Sequence, residues 1–249
     1  MRSGLAHCLV LLASIAAACP ARAEDSETCP HPPGSLSTES SLPKVADAIR
    51  GGRPLDILVV GSRSSSISGA QDAAYPARLK VALKERFPEA TVNIALQIRP
   101  KQTAEETGGG LGKLLEEKTP TLVIWQTGTV DAMRSIDPDD FRSAVDAGVA
   151  TLQNAGADVV LMNLQYSPRT ETMISGSPYM DNMRAVAQEH DIPLFDRFAL
   201  MREWNDEGDF DLFSAVHGSD LAKRVHDCIG RALSDFIIDA AHLGPTQQN

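Results

Sequence analysis

Short apolar runs alternate with helix-like segments along most of this chain, and this alternation restricts its fold more than any other feature. The first run, 55–60, favours a buried strand and ends at Gly61. Four later runs have the same character, namely 91–96, 121–125, 159–162 and 192–195. Strands that alternate with helices predict a mainly parallel sheet covered on both faces. The ligand site of such a sheet lies beyond the carboxyl ends of its strands.

Apolar residues at helical spacing predict helices over 43–50, 75–87, 103–117, 139–154, 178–189 and 220–241. The glycine-rich stretch 108–113 lacks the spacing of a phosphate-binding loop and does not follow a strand, so it predicts a flexible bend. Three histidines, His190, His226 and His242, stand alone at helical positions or helix ends and are interpreted as surface residues. The sequence therefore predicts no metal site and no organic cofactor.

The first residues have the pattern of an export signal. A positive start at Arg2 precedes an apolar run over 5–18, and Ala21 and Ala23 form a small-x-small cleavage site. We expect residues 1–23 to be a signal peptide and the protein to be periplasmic or extracellular. Lipid attachment at Cys19 is the alternative. No later stretch is long enough to span a bilayer, so no transmembrane segment is predicted.

Cysteine positions and charge add two expectations. Removal of residues 1–23 leaves Cys29 and Cys228, an even pair that predicts a disulfide in an oxidising compartment. The 249-residue chain carries 23 Lys plus Arg against 33 Asp plus Glu, a formal net charge of -10. Because binding to phosphate backbones is largely a cationic effect, this charge argues against nucleic acid as the main partner.

Polar residues follow two of the predicted strands. A serine-rich turn, 61–66, follows the first strand, and a glycine turn, 128–131, follows the third. His217 precedes the last helix. A serine, a glycine turn and a late histidine at one sheet edge are the arrangement that nucleophilic ester hydrolysis needs, although a serine-rich turn can also be a simple cap.

From about Leu55 to Ile238 the chain resembles the SGNH, or GDSL-type, hydrolase family, and is most similar to exported bacterial members. The similar stretches are 75–79, 125–129, 155–162, 165–166 and 193–195. The resemblance implies a three-layer, flavodoxin-like α/β sandwich with a parallel five-stranded sheet. It divides the chain into a signal peptide (1–23), an extension with a short helix (24–54), an SGNH hydrolase-like domain (55–242) and a tail (243–249).

The resemblance also implies a degenerate active site. Arg63 stands where family members have the nucleophilic serine, and Val130 stands where they have the oxyanion asparagine. Residues 96–100, where the family has an oxyanion glycine, contain none. Ser214 replaces the family aspartate, and only His217 matches its block. Arg63 has no nucleophilic oxygen and Val130 cannot donate a hydrogen bond, so ordinary esterase chemistry should be lost.

The leading hypothesis is therefore an exported, catalytically impaired protein that binds a ligand. The ligand would be a small-molecule or glycan ester, or an anionic group paired with Arg63. Gly128, Asp131 and Ser214 are further ligand-binding candidates, and Asp131 is better suited to holding its loop than to chemistry. An internal ion pair from Arg63 to Asp131 or Asp211 remains open.

The alternative hypothesis is an active carboxylic-ester hydrolase or O-deacetylase. A small change in turn geometry would present Ser64 or Ser62 as the nucleophile, with His217 as its base and Asp211 orienting the imidazole. A third possibility is a structural or partner-binding role in the cell envelope, through the acidic surface and the N-terminal extension. The sequence identifies no protein partner.

Overall fold

The computed structural model describes residues 29–31, 36–213 and 218–244. The predicted signal peptide, with Cys19, lies outside the described residues, and so do Ser214 and His217. No helix in the described part of the chain is both long and apolar enough to cross a membrane.

Five parallel strands form one sheet in the order β2-β1-β3-β4-β5. They are β1 (Leu55–Gly61), β2 (Val92–Ile98), β3 (Leu122–Gln126), β4 (Asp158–Met162) and β5 (Leu194–Phe195). The predicted parallel five-stranded sheet is confirmed. The chain runs from β1 outward to β2 and then returns to the other side of β1 to form β3. Such a reversal opens a crevice at the carboxyl ends of the two strands beside it.

Helices cover both faces of the sheet, as the α/β prediction requires. They are α1 (Pro43–Arg50), α2 (Tyr75–Arg86), α3 (Ala104–Gly108), α4 (Leu111–Lys118), α5 (Thr129–Met133), α6 (Pro138–Asn154), α7 (Pro168–Met173), α8 (Ser177–Glu189), α9 (Arg197–Asp206) and α10 (Gly218–Ala240). Successive β3 residues alternate between faces: Ile124 packs with α1, α2, α9 and α10, whereas Trp125 packs with α3, α4, α6 and α8. These two cores define the predicted three layers.

Helix α10 lies very close to α2. A Cβ at Gly230 would be 2.8 Å from the backbone nitrogen of Leu79 and 2.6 Å from Cβ of Arg78, so this contact requires a residue without a side chain. The close packing fixes α10 against the first helix that follows the serine-rich turn.

The prediction of one helix over 103–117 is wrong in one respect. The segment forms two helices, α3 and α4, which are separated at Gly109 and Gly110. Each helical glycine costs about 1 kcal/mol relative to alanine, which the capping box between Thr103 and Glu106 does not overcome along the whole stretch. Three short helices, α5, α7 and α9, were not predicted, and α10 begins two residues before the predicted start.

The N-terminal segment is attached to the rest of the molecule by several bonds. Cys29 and Cys228 form the predicted disulfide, with their Cα atoms 5.2 Å apart. The indole Nε1 of Trp204 donates to the carbonyl oxygen of Pro30 at 2.5 Å. At the start of α1, the backbone nitrogens of Lys44 and Val45 donate to Oδ2 of Asp158 in β4. The extension is therefore held at both the α9 and α10 side and the β4 side.

Candidate functional site

The loop after β1 forms a tight serine-rich turn at the carboxyl end of the sheet. Residues Arg63–Ser65 make one turn of 3-10 helix, and Ser62 caps it, because its Oγ accepts a hydrogen bond from the nitrogen of Ser64. Ser65 is fully buried, and its Oγ lies 3.0 Å from Oη of Tyr75. Arg63 is exposed, while Ser62 and Ser64 are partly exposed. The turn thus brings two accessible hydroxyls and one cation to the predicted edge.

One amide oxygen accepts most of the hydrogen bonds that this turn donates. Gln126, the last residue of β3, is 3 % exposed, and its Oε1 accepts from both the nitrogen (2.9 Å) and Oγ (3.0 Å) of Ser62. The hydroxyls of Ser65 (3.2 Å) and Ser64 (3.4 Å) point to the same oxygen. Within the described residues, no imidazole or carboxylate accepts a proton from Ser62 or Ser64. An amide oxygen is not a general base, so none of the described partners of these two hydroxyls activates them.

Two residues of the turn after β3, Gly128 and Asp131, have structural roles. Gly128 has a φ of +92°, and a Cβ there would lie 2.6 Å from Cδ1 of Leu164. Asp131 is 1 % exposed, and its Oδ1 accepts from the nitrogen of Ala104 at 2.9 Å, which ties α5 to the start of α3. Burial raises the pKa of this carboxyl. Both residues shape the loop, which agrees with the expectation for Asp131.

Arg63 lies in the wall of an open cavity of about 400 Å³, here called the Arg63 cavity, which is also lined by Ser62, Lys101, Thr129, Val130, Met133 and Arg134. Arg134 pairs with Glu106 at 3.2 Å. No carboxylate among the described residues lies within ion-pair distance of Arg63 or Lys101, so the internal ion pair considered for Arg63 is not found there. Oδ1 of Asp211 instead accepts from the nitrogen of Phe213. The cavity therefore has a cationic wall.

A second arginine near the serine-rich turn was missed from the sequence. Arg197, the first residue of α9, is 1 % exposed, and its Nη1 donates to Oγ of Ser64 at 3.3 Å. Its Nε and Nη2 have no hydrogen-bond partner among the described residues. Burial lowers the pKa of this guanidinium to about 10, so it stays charged at neutral pH. Nothing in the spacing around Arg197 indicates that its side chain is buried.

His226 corrects another expectation, because it is half-buried between α10 and α2 and not a surface residue. Its Nδ1 accepts from the nitrogen of Tyr75 at 3.0 Å, which assigns the ring proton to Nε2. Burial, and then the charge of Arg197, lower the pKa of His226 to about 4. The ring is thus neutral and can donate only through Nε2. Its spacing from Ile229 and Leu233 was the sequence signal for the buried face of α10.

Of the predicted site residues, the structure brings Ser62, Arg63, Ser64, Gly128 and Asp131 to the carboxyl ends of β1 and β3. Asp211 lies in the loop before α10, and Ser214 and His217 fall outside the described residues. Strand order, the turn after β1 and the glycine turn after β3 together define an SGNH-type hydrolase fold. The chain belongs to the non-GDSL lipase-like family, whose sequence model matches residues 28–243.

Relatives and solved structures agree with this family. An arylesterase of Vibrio mimicus is 29% identical over 116 residues, which cover 45% of this chain and 56% of that protein. The chain thus matches little more than half the length of that relative. A two-domain esterase active on acetylated mannans superposes with a TM-score of 0.67 at 15% identity, over 82% of this chain and 55% of that one. An acetylxylan esterase from Geobacillus stearothermophilus gives 0.59 at 16% identity, over 73% and 93%.

Proposed function

We propose that this chain is an exported, catalytically impaired member of its family that binds an ester-bearing or anionic ligand at the carboxyl edge of β1 and β3. One observation carries the proposal: Arg63, at the nucleophile position, lines an open cavity together with Lys101 and Arg134. Val130 lines the same cavity with an apolar side chain in place of an amide donor. A cationic wall binds a ligand oxygen but performs no acyl transfer.

The hydrogen bonds of the serine-rich turn support an impaired site. Ser62 donates to an amide oxygen that also accepts from its own backbone nitrogen, so both groups are held by Gln126. Removal of one oxyanion donor typically costs ~10²–10³ in rate, and a triad without its carboxylate loses about 10⁴. With Val130 and Ser214 at those positions, residual chemistry would be very slow. The roles of Ser214 and His217 remain predictions.

The proposed ligand class rests on the cations and on the relatives. Guanidinium and ammonium groups are good donors to carboxylate, phosphate and ester oxygens. Two structures with the same fold belong to esterases described as acting on acetylated mannans or acetylxylan, which supports an acetyl-bearing glycan as the ligand. Export is supported by the disulfide, since such bonds persist in oxidising compartments.

The alternative is an active esterase or O-deacetylase, and one contact favours it. Oγ of Ser64 accepts from the buried guanidinium of Arg197 at 3.3 Å, and a neighbouring cation stabilises negative charge that develops on a hydroxyl oxygen. In that reaction Ser64 attacks the acyl carbonyl and His217, oriented by Asp211, accepts the serine proton. His217 then donates that proton to the leaving alcohol, and water, deprotonated by His217, attacks the acyl-serine ester and releases the acid.

An ester assay separates the two proposals. The protein is incubated with a short-chain aryl ester beside Ser62→Ala, Ser64→Ala and His217→Ala. The impaired-site proposal expects the same background rate in all four proteins. A fall of tenfold or more in Ser64→Ala or Ser62→Ala, together with His217→Ala, would establish the esterase and overturn our proposal.

Ligand binding is tested separately by calorimetric titration with acetylated xylo- and manno-oligosaccharides. We expect saturable binding that Arg63→Gln weakens at least tenfold. Arg53→Gln removes an exposed arginine from the turn after α1 and should leave binding unchanged. If neither acetylated oligosaccharide binds the unmodified protein, or if both variants weaken binding equally, the ligand assignment is wrong.

A further inference from the structure

A second cavity is lined in part by Ser64 and shares no lining residue with the Arg63 cavity. Its volume is about 180 Å³, comparable to the ~150 Å³ engineered cavity that accepts benzene. The loop after β4, α9 and the first turns of α10 enclose it. We call it the Arg197 cavity, after the arginine in its wall.

The wall of the Arg197 cavity has two chemically distinct parts. Its polar part contains Ser64, Gln165, Tyr166, Ser167, Arg197 and His226. Its apolar part includes Met201, Leu221, Val225 and Ile229, which belong to α9 and α10. A molecule that fits this cavity therefore needs both a polar group and an aliphatic group.

No anion among the described residues compensates the charge of Arg197. Charged side chains are almost never fully buried unless they are paired, because removing an ion from water costs several kcal/mol. Arg197 is 1 % exposed, and no aspartate or glutamate among the described residues forms an ion pair with it. Its one described partner is the uncharged hydroxyl of Ser64. A missing anion is the simplest group that would balance this charge.

Nε and Nη2 of Arg197 have no described hydrogen-bond partner and almost no accessible surface. The guanidinium charge is therefore buried without an anionic partner among the described residues, and an anion in the cavity would balance it from the wall.

The groups around Arg197 favour an anion over a cation. His226, in the same wall, is neutral and carries its proton on Nε2, so it can only donate to a ligand. Ser64 can donate to a ligand if its hydroxyl turns away from Oε1 of Gln126, to which it donates in the structure. No carboxylate is found among the described residues that line the cavity.

We propose that the Arg197 cavity binds a small aliphatic carboxylate, whose oxygens bind Arg197 and the donors beside it while its alkyl group packs on Val225 and Ile229. The apolar half of the wall favours this class over inorganic phosphate, which has no apolar part. The site goes beyond the proposed function, because it lies in a different cavity and does not require Arg63. Binding here is expected whether or not the neighbouring hydroxyls hydrolyse esters.

Calorimetric titration of the full protein with butyrate, butyramide and inorganic phosphate tests the ligand class. We expect one saturable butyrate site per chain, with butyramide and phosphate at least tenfold weaker. Butyramide has the same shape without the charge, so equal binding of butyrate and butyramide would overturn the role of Arg197. Stronger binding of phosphate than of butyrate would overturn the carboxylate assignment, and so would the absence of butyrate binding.

Three variants test the location. Arg197→Met removes the charge and should weaken butyrate binding at least tenfold. Ala222→Phe fills the cavity from α10 while keeping Arg197, and should have a similar effect even if the arginine variant fails to fold. Lys223→Gln removes a cation from the adjacent position, outside the cavity lining, and should bind as the unmodified protein does. Unchanged butyrate affinity in Ala222→Phe, with the fold intact by circular dichroism, would contradict the proposed site.

Discussion

Arg63 belongs to the serine-rich turn and Arg197 contacts the same turn through Ser64, yet the two arginines differ in their exposure to water. Arg63 is exposed in an open cavity, where water solvates its guanidinium. Arg197 is 1 % exposed, and two of its nitrogens have no described partner. An unpaired charge in water costs little, whereas a buried one costs several kcal/mol. The buried arginine is therefore the stronger indication of a specific anion.

The comparison also separates two ways in which a hydrolase fold can become a binding protein. On the Arg63 side, we propose that residues which the family uses for chemistry are replaced by residues that cannot perform it. On the Arg197 side, a cavity with its own charge lies beside the turn and makes no demand on catalysis. Experiments that change one side and leave the other intact can test this division.

The largest expected effect is on hydrolysis and concerns the Arg63 side. Arg63→Ser, Val130→Asn and Ser214→Asp together restore a nucleophile, an oxyanion donor and a carboxylate for His217. We expect aryl-ester turnover to rise at least ~10³-fold over the unmodified protein, since each group contributes factors of this order. Arg63→Ser alone should give a much smaller rise. A correctly folded triple variant with no gain in turnover would refute the assigned correspondence.

The second largest expected effect is a loss of stability in acid, caused by His226 in the wall of the Arg197 cavity. His226 has a pKa of about 4 in the folded protein and about 6.5 when unfolded. Between these values the unfolded state binds a proton that the folded state does not, so stability should fall as the pH decreases from about 6.5 to about 4. The full difference is about 3 kcal/mol.

Urea unfolding at pH 7, 6, 5 and 4 measures this loss of stability. His226→Asn keeps an acceptor for the nitrogen of Tyr75 and removes the titrating ring, so its stability should depend less on pH across the window. An equal pH dependence in both proteins would show that other groups cause the acid sensitivity.

The smallest expected effects compare the two arginines directly. Arg197→Met replaces an uncompensated buried charge with an apolar side chain of similar length, and should raise the free energy of unfolding by about 1–3 kcal/mol in ligand-free buffer. Arg63→Met changes an exposed residue and should stay within about 0.5 kcal/mol. Urea unfolding of both variants measures the difference. If Arg197→Met is the less stable protein, the charge is compensated within the fold and the missing anion is not needed.

The strands and helices were predicted where burial imposes a clear pattern. β1 and β3 are apolar runs because both of their faces are covered, and α6 and α10 have apolar faces at helical spacing. The helices α5 and α7 are too short, at five and six residues, for a periodic pattern to develop. α9 had a usable signal in its cap, since Oδ1 of Asp196 accepts from the nitrogen of Ala199.

The candidate site was predicted in part for a similar reason. Arg63, Gly128 and Asp131 directly follow strands, so topology alone places them at one edge. Arg197 also follows a strand, but its importance comes from burial without an anionic partner among the described residues, beside Tyr75 of α2 and His226 of α10. Local sequence does not contain that information. His226 was misplaced because it was considered alone, without its helical spacing from Ile229 and Leu233 on the buried face of α10.

The bond between Cys29 and Cys228 joins residues 199 positions apart, so it has a consequence for the order in which the protein is made. Synthesis proceeds from the N-terminus, and the bridge from Cys29 therefore cannot close until nearly the whole chain has followed it. Cys228 is two residues beyond His226 in α10, so the bridge ties the N-terminal segment to the helix that carries part of the wall of the Arg197 cavity. Until α10 has been made, neither the bridge nor that wall can form.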